Sequence, residues 1–408
     1  MKLTPEYRFP EFKNDGDWDG DSLINIAKFR RGSFPQPYGL PEWYDDENGM
    51  PFIQVYDVDD NFRLKQTTKR KISELAAAQS VFIEKGTVII TIQGSIGRVA
   101  ITQYDAYIDR TLLIFQEFYN NIDKTFFAYI LFLLFEIEKL KAPGGIIKTI
   151  TKEVLSDFVV SFPKVQEQQK IASCLSSLDE LLAAHKDKLD ALKDHKKGLL
   201  QNLFPQEGET VPKVRFPEFE EDGEWEETTL EQVADYENGK AHEKDIDENG
   251  DYIVVNSKFI STEGETVKYS DTAFCPANLG DILMVLSDVP NGKAIAKCFY
   301  VDEENRYSVN QRICRITATD CDSRFLFYIM DRNAYFLSFD DGVKQTNLRK
   351  SDVLEFPFRI PADSVEQTKI ASCISAVDEL IKSQSAKIEE LNQHKRGLMQ
   401  GLFPKIKS

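Results

Sequence analysis

The stretch HKKGLLQNLFP, residues 195–205, returns as HKRGLMQGLFP at 394–404. A chain that repeats itself so closely is built from two units of one plan. The repetition extends well upstream. KIASCLSSLDELL begins at Lys170 and KIASCISAVDELI at Lys369; over 170–205 against 369–404, 19 of 36 positions are identical without a gap. A second marker precedes each long interior: RFPEFKNDGDW begins at Arg8 and RFPEFEEDGEW at Arg215. The offset is 207 residues at the first marker and 199 at the second, so the second interior is eight residues shorter. The chain therefore reads variable, constant, variable, constant.

The constant part has helical periodicity. Apolar residues fall at Ile171, Leu175, Leu178, Leu182, Leu189, Leu192, Leu199 and Leu203 in the first copy. The second copy has Ile370, Ile374, Val377, Ile381, Ile388, Leu391, Leu398 and Leu402. His185, Lys196, Gln384 and Lys395 fill the gaps in this heptad seam. Pro205 and Pro404 are stop signals, and Gly198 and Gly397 each weaken the helix by about 1 kcal/mol. A helix of roughly 36 residues would run about 54 Å and cannot bury its own stripe. Its twin is the economical partner, in an antiparallel pair; dimerisation between chains is the alternative. His195 and His394, near the ends, are expected to pack or cap.

The interiors mix short β-prone runs with turn signals. MPFIQVYDV (50–58), GTVIITIQ (86–93) and GRVAITQY (97–104) stand in the first. DYIVVNSKFI (251–260), GDILMVLSD (280–288) and GKAIAKCFYV (292–301) stand in the second. Each interior ends in an apolar helix-like segment, 124–140 and SRFLFYIMDRNAYF at 323–336. The nine-residue run YILFLLFEI (129–137) is too short to span a bilayer as a helix and reads as buried. The fold class expected is mixed α/β: two similar domains joined by two long constant helices in an antiparallel coiled coil. The strand order is not recoverable from the pattern.

Several chemistries are missing. There is no P-loop, no dinucleotide-binding glycine fingerprint, no nucleophile elbow and no HExxH. Six cysteines without a CxxC, and four scattered histidines, suggest neither a zinc site nor a disulfide framework. With no apolar leader in MKLTPEYRFPEFKNDG, a reduced cytoplasm is expected. The formal charge is −17, on its face unfavourable for a nucleic-acid partner. It is uneven: −3 for 1–150, −2 for 151–210, −12 for 211–350 and 0 for 351–408. Net charge does not describe a local face.

The repeated RFPEF…W marker and the repeated helix from KIASC to LFP give the chain a family likeness. It resembles, over essentially its whole length, the specificity (S) subunit of type I restriction–modification systems. The resemblance implies two target recognition domains, 1–163 and 206–362, each reading one half of a bipartite, asymmetric DNA target. It implies spacer helices at 164–205 and 363–408 that fix the distance between the halves and dock two modification subunits. It further implies that this chain catalyses nothing and holds no cofactor. S-adenosylmethionine would belong to the modification subunits, and ATP with Mg to the restriction subunits that join them. A protein-only scaffold and an enzyme made by tandem duplication are the competing readings.

DNA contact needs donors for phosphate and side chains that fit base edges. In the first interior the candidates are Arg30 and Arg31, then Lys65, Lys69, Arg70 and Lys71, then Gln93, Ser95 and Arg98 in the glycine-bearing turn QGSIGR. In the second they are Asn256, Ser257 and Lys258, then Asn291 and Lys293 at the turn SDVPNG, then Gln311 and Arg312. The bland alternatives are a solvated basic face, ordinary hairpins and a salt-bridged Arg312.

Overall fold

A computed structural model of the chain describes residues 4–141, 150, 155–156, 158–289 and 293–404. The chain divides into two compact units: 1–187 with 386–408, and 188–385. In the first unit the elements are β1 (Asp19–Ser22), α1 (Leu23–Ile26), β2 (Ala27–Arg31), β3 (Met50–Ile53), β4 (Arg70–Ile72) and α2 (Glu74–Ala77). They continue with β5 (Val81–Ile83), β6 (Val88–Thr91), β7 (Val99–Ile101), β8 (Ala106–Ile108), β9 (Leu112–Phe118), α3 (Lys124–Lys141) and β10 (Val159–Phe162). The helix α4 (Val165–Leu203) begins here.

Two four-stranded sheets, ordered β2-β9-β6-β7 and β4-β3-β8-β5, form the body of the unit. Strands buried on both faces need apolar residues at every position. β6 is such a strand: Val88 and Ile90 face the core shared with α3, while Ile89 faces the core of the second sheet. Leu112 and Ile114 against Leu113 and Phe115 make the same alternation in β9. The apolar run 129–137 lies in α3, with Tyr129, Leu131 and Phe135 buried.

The second unit repeats this plan. Its elements are β11 (Glu226–Thr229), α5 (Leu230–Val233), β12 (Ala234–Asn238), β13 (Tyr252–Val255), α6 (Ser257–Ser261), β14 (Tyr269–Ser270), β15 (Pro276–Ala277) and β16 (Ile282–Val285). β17 (Ser287–Asp288), β18 (Cys298–Tyr300), β19 (Tyr307–Val309) and β20 (Ile313–Ala318) follow. The unit closes with α7 (Ser323–Met330), α8 (Ala334–Leu337), β21 (Thr346–Asn347), α9 (Lys350–Leu354), β22 (Pro357–Ile360) and the start of α10 (Ser364–Leu402). The sheets are β12-β20-β16-β18 and β14-β13-β19-β15, with the same kind of order as in the first unit. A small β17–β21 ladder is added.

Three sequence readings need correction. The run 251–260 is a strand only to Val255; Asn256 then caps α6, its side chain accepting from the Phe259 amide at 2.9 Å. The segment 323–336 is two helices, broken at Arg332, whose φ of 56° lies in the left-handed region. His195 and His394 are exposed on their helices, not packed.

The repeated sequence builds the same fastening in each unit. Arg8 donates from Nε and Nη2 to Glu167 at 2.8 and 2.7 Å, and Arg215 makes the identical pair with Glu366. All four groups are largely buried, and bidentate geometry makes this the strong form of the interaction. RFPEF thus clamps each unit's beginning to the first turn of the helix that ends its domain. Gln168 accepts from the Asp123 amide, and Gln367 from the Asp322 amide, both at 2.8 Å. Asp123 and Asp322 cap the helices that follow them, α3 and α7.

The long helices α4 and α10 pack together. In the first unit Lys395 pairs with Asp179, which accepts from the Tyr129 hydroxyl at 2.6 Å. In the second, Lys196 pairs with Asp378 at 2.7 Å, and Asp378 accepts from Tyr328 at 2.8 Å. The early part of one helix therefore meets the late part of the other, which makes the pair antiparallel. Lys196 and Lys395 are two of the four polar residues that interrupted the seam. Each seam position at 171–192 and 370–391 is buried or half-buried. The core of the first unit takes Ile171 and Leu175 from α4 with Leu402 and Phe403 from the other copy; the second takes Leu203 with Ile370 and Ile374. Trp18 meets Phe403 and Trp225 meets Phe204, both edge-on. The motif LFP is repeated because each copy closes the core of a different unit.

Candidate nucleic-acid interface

Among the described residues each unit contains one parallel strand pair, β3 with β8 and β13 with β19. Two parallel strands end on the same side. The ends of these two pairs are built alike. The Asp109 amide donates to Ile53 O and the Asn310 amide to Val255 O, both at 3.0 Å. The chain then turns, and Leu112 and Ile313 donate back to Asp109 O and Asn310 O at 3.1 and 2.9 Å. A glycine packs under each turn: a Cβ on Gly32 would lie 2.3 Å from Asp109 O, and one on Gly239 would lie 2.1 Å from Asn310 O.

In the first unit this end gathers several of the expected residues. Arg31 directly precedes Gly32 and is exposed, as is Arg30, whose Nε donates to Arg31 O. Buried Asp57 accepts from the amides of Gln54 at 2.8 Å and Lys69 at 2.9 Å, so it ties the basic stretch to the end of β3. Burial pushes the Asp57 carboxyl up, against these amide bonds. Lys65 and Lys69 are exposed, with the Lys69 ammonium 4.9 Å from the Tyr56 ring. Arg70 stacks on Tyr44 at 4.0 Å and meets Asp46 at 3.2 Å, while Lys71 donates to Glu47 O. Those two cations already have partners within the fold.

The turn QGSIGR joins β6 to β7. Gly94 and Gly97 have φ of 69° and 89°, and a Cβ on Gly97 would press on Phe135 at 3.0 Å. Gln93 and Ser95 stand exposed at its tip, beside Val55, which lies 3.5 Å from the Gly94 Cβ position. Arg98 is turned away into an ion pair with Asp60 at 3.0 Å and a bond to Val58 O.

The sequence reading missed the centre of this surface. Tyr56 donates to Gln54 Oε1, Gln54 Nε2 donates to the Tyr38 hydroxyl, and Tyr38 donates to Asp109 Oδ2 at 3.1 Å. Arg110 stands over the Tyr38 ring, 5.4 Å from its centroid. Burial raises both tyrosine hydroxyls, Tyr56 to about 12, so they keep their protons at neutral pH. The available signal was the repeat: DRT (109–111) occupies the place of NQR (310–312).

In the second unit the same end is acidic and amide-rich. Gln311 Nε2 donates to Glu243 at 3.0 Å, and Arg312 is exposed. Buried His242 bonds Lys240 O and Ser308 Oγ at 2.6 and 2.7 Å, which fixes the loop that carries Glu243. Asn256 is committed as a helix cap, Ser257 is half-buried in the first turn, and Lys258 is exposed. The counterpart of the QGSIGR turn is longer. It contains β17, and Asp288 closes it on the amides of Ala294 and Ile295. Lys293 is exposed there; Asn291 lies outside the described residues.

The family model for the type I restriction modification DNA specificity domain matches residues 37–194 and 222–393. The chain belongs to this family. Its two specificity domains fall one in each repeat. It is similar to the type I restriction enzyme MjaVIII specificity subunit of Methanocaldococcus jannaschii, at 22% identity over 98% of this chain and 96% of the relative. The MjaIX specificity subunit of the same organism is 27% identical over 46% of this chain and 44% of its own. The fold is also that of a type I restriction–modification S subunit from M. genitalium, with a TM-score of 0.63 at 15% identity, covering 99% of this chain and all of the other. A chain solved in work on complex assembly and conformational transition of the type I R-M system matches at 0.55, with 14% identity and 99% of each chain covered. Among the described residues of this specificity subunit, no group of three or more His, Cys, Asp or Glu is placed to hold a metal ion. None of its described helices is long and apolar enough to cross a membrane.

Proposed function

We propose that this specificity subunit is the non-catalytic DNA reader of a type I restriction–modification complex. Residues 1–163 and 206–362 each read one half of a bipartite, asymmetric target in double-stranded DNA. The helical stretches 164–205 and 363–408 hold the halves at fixed spacing and dock two modification subunits, which restriction subunits join. S-adenosylmethionine serves the modification subunits, ATP and Mg the restriction subunits, and the complex works in the cytoplasm.

The observation that carries this reading is one built place with two chemistries. The turns after β8 and β19 share their backbone bonding and their supporting glycine, yet one presents Asp109, Arg110 and Thr111 and the other Asn310, Gln311 and Arg312. Two readers of unlike half-sites need that combination. The phosphate contacts would come from Arg30, Arg31, Lys65 and Lys69, the expected cations left exposed in the first unit. Exchanging residues 217–350 for those of another such subunit should change one half-site in the methylation map of a host that also expresses the modification subunit. A map in which both halves change, or neither, would end the two-reader account.

A further inference from the structure

We propose that Arg110, held over the Tyr38 ring at the end of the parallel strand pair, reads a guanine edge in the half-site taken by the first unit. This rests on the DNA-reading function proposed above and adds to it a residue and a base. Two arginines of this surface are occupied, Arg70 by Asp46 and Tyr44 and Arg98 by Asp60 and Val58 O, while Arg30 and Arg31 are exposed without a ring beneath them among the described contacts. Arg110 is exposed, and among the described residues no carboxylate pairs with it.

Its neighbour Asp109 does not compete for it. That carboxylate is buried; Oδ1 accepts from the amide and hydroxyl of Thr111 at 2.9 and 2.5 Å, and Oδ2 from Tyr38. The bonds from Tyr56 through Gln54 and Tyr38 to Asp109 hold the Tyr38 hydroxyl, and the ring packs against Phe34 with centroids 5.0 Å apart. A guanidinium resting on a fixed ring is pre-oriented while its N–H fork stays available. The acceptor pair that fits that fork is guanine O6 and N7 in the major groove. At the same turn of the second unit stands Gln311, whose amide fits a different base.

The test uses the full chain assembled with its modification subunits. The target is first mapped by methylation sequencing. Binding is then followed by fluorescence anisotropy on the target, on a scrambled duplex, and on duplexes with one base pair replaced at a time. Arg110→Ala should weaken target binding about 5- to 150-fold. It should lose nothing further when one particular G·C pair of one half-site is replaced. Scrambled-duplex binding and the salt slope should not move. Arg110→Lys, which keeps the charge without the fork, should recover little of the discrimination. Tyr38→Phe should lose a smaller part of it at the same base pair.

Equal weakening on target and scrambled duplexes, with the slope of log K against log salt flatter by about 0.9, would make Arg110 a phosphate contact and overturn the proposal. So would unchanged binding throughout, full rescue by Arg110→Lys, or a loss of modification subunits from the complex. If the parent complex itself fails to separate target from scrambled duplex, the failure belongs to the DNA-reading function and not to Arg110.

Discussion

Arg8 with Glu167 and Arg215 with Glu366 are one interaction made twice, with the same atoms and the same distances. Asp109–Arg110–Thr111 and Asn310–Gln311–Arg312 are one turn made twice from different side chains. The contrast shows what holds each kind of residue in place. In the clamp, both partners are buried and every polar group has a mate, so a change at either end strands the other. In the turn, the backbone bonds and the glycine beneath carry the geometry. The exposed middle residue carries none of it and is free to differ.

The largest expected effect breaks the sameness of the clamp. Arg8→Ala leaves the Glu167 carboxylate buried without its partner, which costs about 3–5 kcal/mol. Arg215→Ala should cost the same within the scatter of such measurements. Urea unfolding of the two variants reads the total, and amide hydrogen exchange reads the place. R8A should open the first unit and R215A the second. If the two costs differed by more than about 2 kcal/mol, the fastenings would be alike in geometry but not in energy. The matching charge-conserving changes, Arg8→Lys and Arg215→Lys, should recover only part, since Lys cannot make the bidentate pair.

The frame was legible in the sequence because it obeys two simple rules. A seam of period 3.5 and a literal repeat gave both long helices, their partner and the antiparallel direction. The lysines that interrupted the seam, Lys196 and Lys395, proved to be the ion-pair partners of Asp378 and Asp179. The interiors were less legible. YIVVNSKFI has the composition of one long strand, yet Asn256 caps a helix within it, because a local side-chain bond to the Phe259 amide outweighs the β-branched run. The candidate surface was half legible. A cluster of charge marked 63–71, but the partners that occupy Arg70 and Lys71 come from residues 44–47, brought there by strand pairing. Tyr38, Gln54 and Asp109 are far apart in the chain and converge only through the parallel pair.

A smaller effect sharpens the comparison along the helices. Gly198 and Gly397 sit at matching positions in α4 and α10, and nothing lies within 4 Å of a Cβ added at either. Gly198→Ala and Gly397→Ala should each raise stability by about 1 kcal/mol. Gly401 departs from this pattern: an added Cβ would lie 2.1 Å from the Tyr7 ring, whose own residue donates its amide to Gly401 O at 2.8 Å. Its counterpart in the first copy is Asn202, which accepts the equivalent bond from the Val214 amide at 2.9 Å. Gly401→Ala should therefore destabilise the first unit. A gain in melting temperature from G401A, equal to that from G397A, would show that Tyr7 moves aside without cost.

The smallest effect concerns pH. Tyr129 and Tyr328 donate to Asp179 and Asp378, and burial beside those carboxylates pushes both hydroxyls well above the ordinary tyrosine range. The folded state therefore holds these protons more tightly than the unfolded chain does. The resulting stability is fully present below the unfolded tyrosine value of about 10 and is lost as the pH rises above it. The urea midpoint should be flat for these groups up to about pH 9 and fall beyond pH 10. Other tyrosines with raised hydroxyls, the half-buried Tyr236 and the partly exposed Tyr38 among them, contribute to the same fall in the parent protein. The comparison therefore uses variants. Tyr129→Phe and Tyr328→Phe each remove one proton-holding site and should each make the alkaline fall shallower, by similar amounts if the two triads are equivalent. Were the double variant as sensitive as the parent, the alkaline loss would arise elsewhere, and the Tyr–Asp–Lys triads would be joined by packing and not by the hydroxyl proton. A clear inequality between the single variants would instead locate a difference between the copies. The place to look would then be Arg324, whose charge lowers the Tyr328 hydroxyl where the first copy has Thr125; the serines match, Ser375 at Tyr328 and Ser176 at Tyr129.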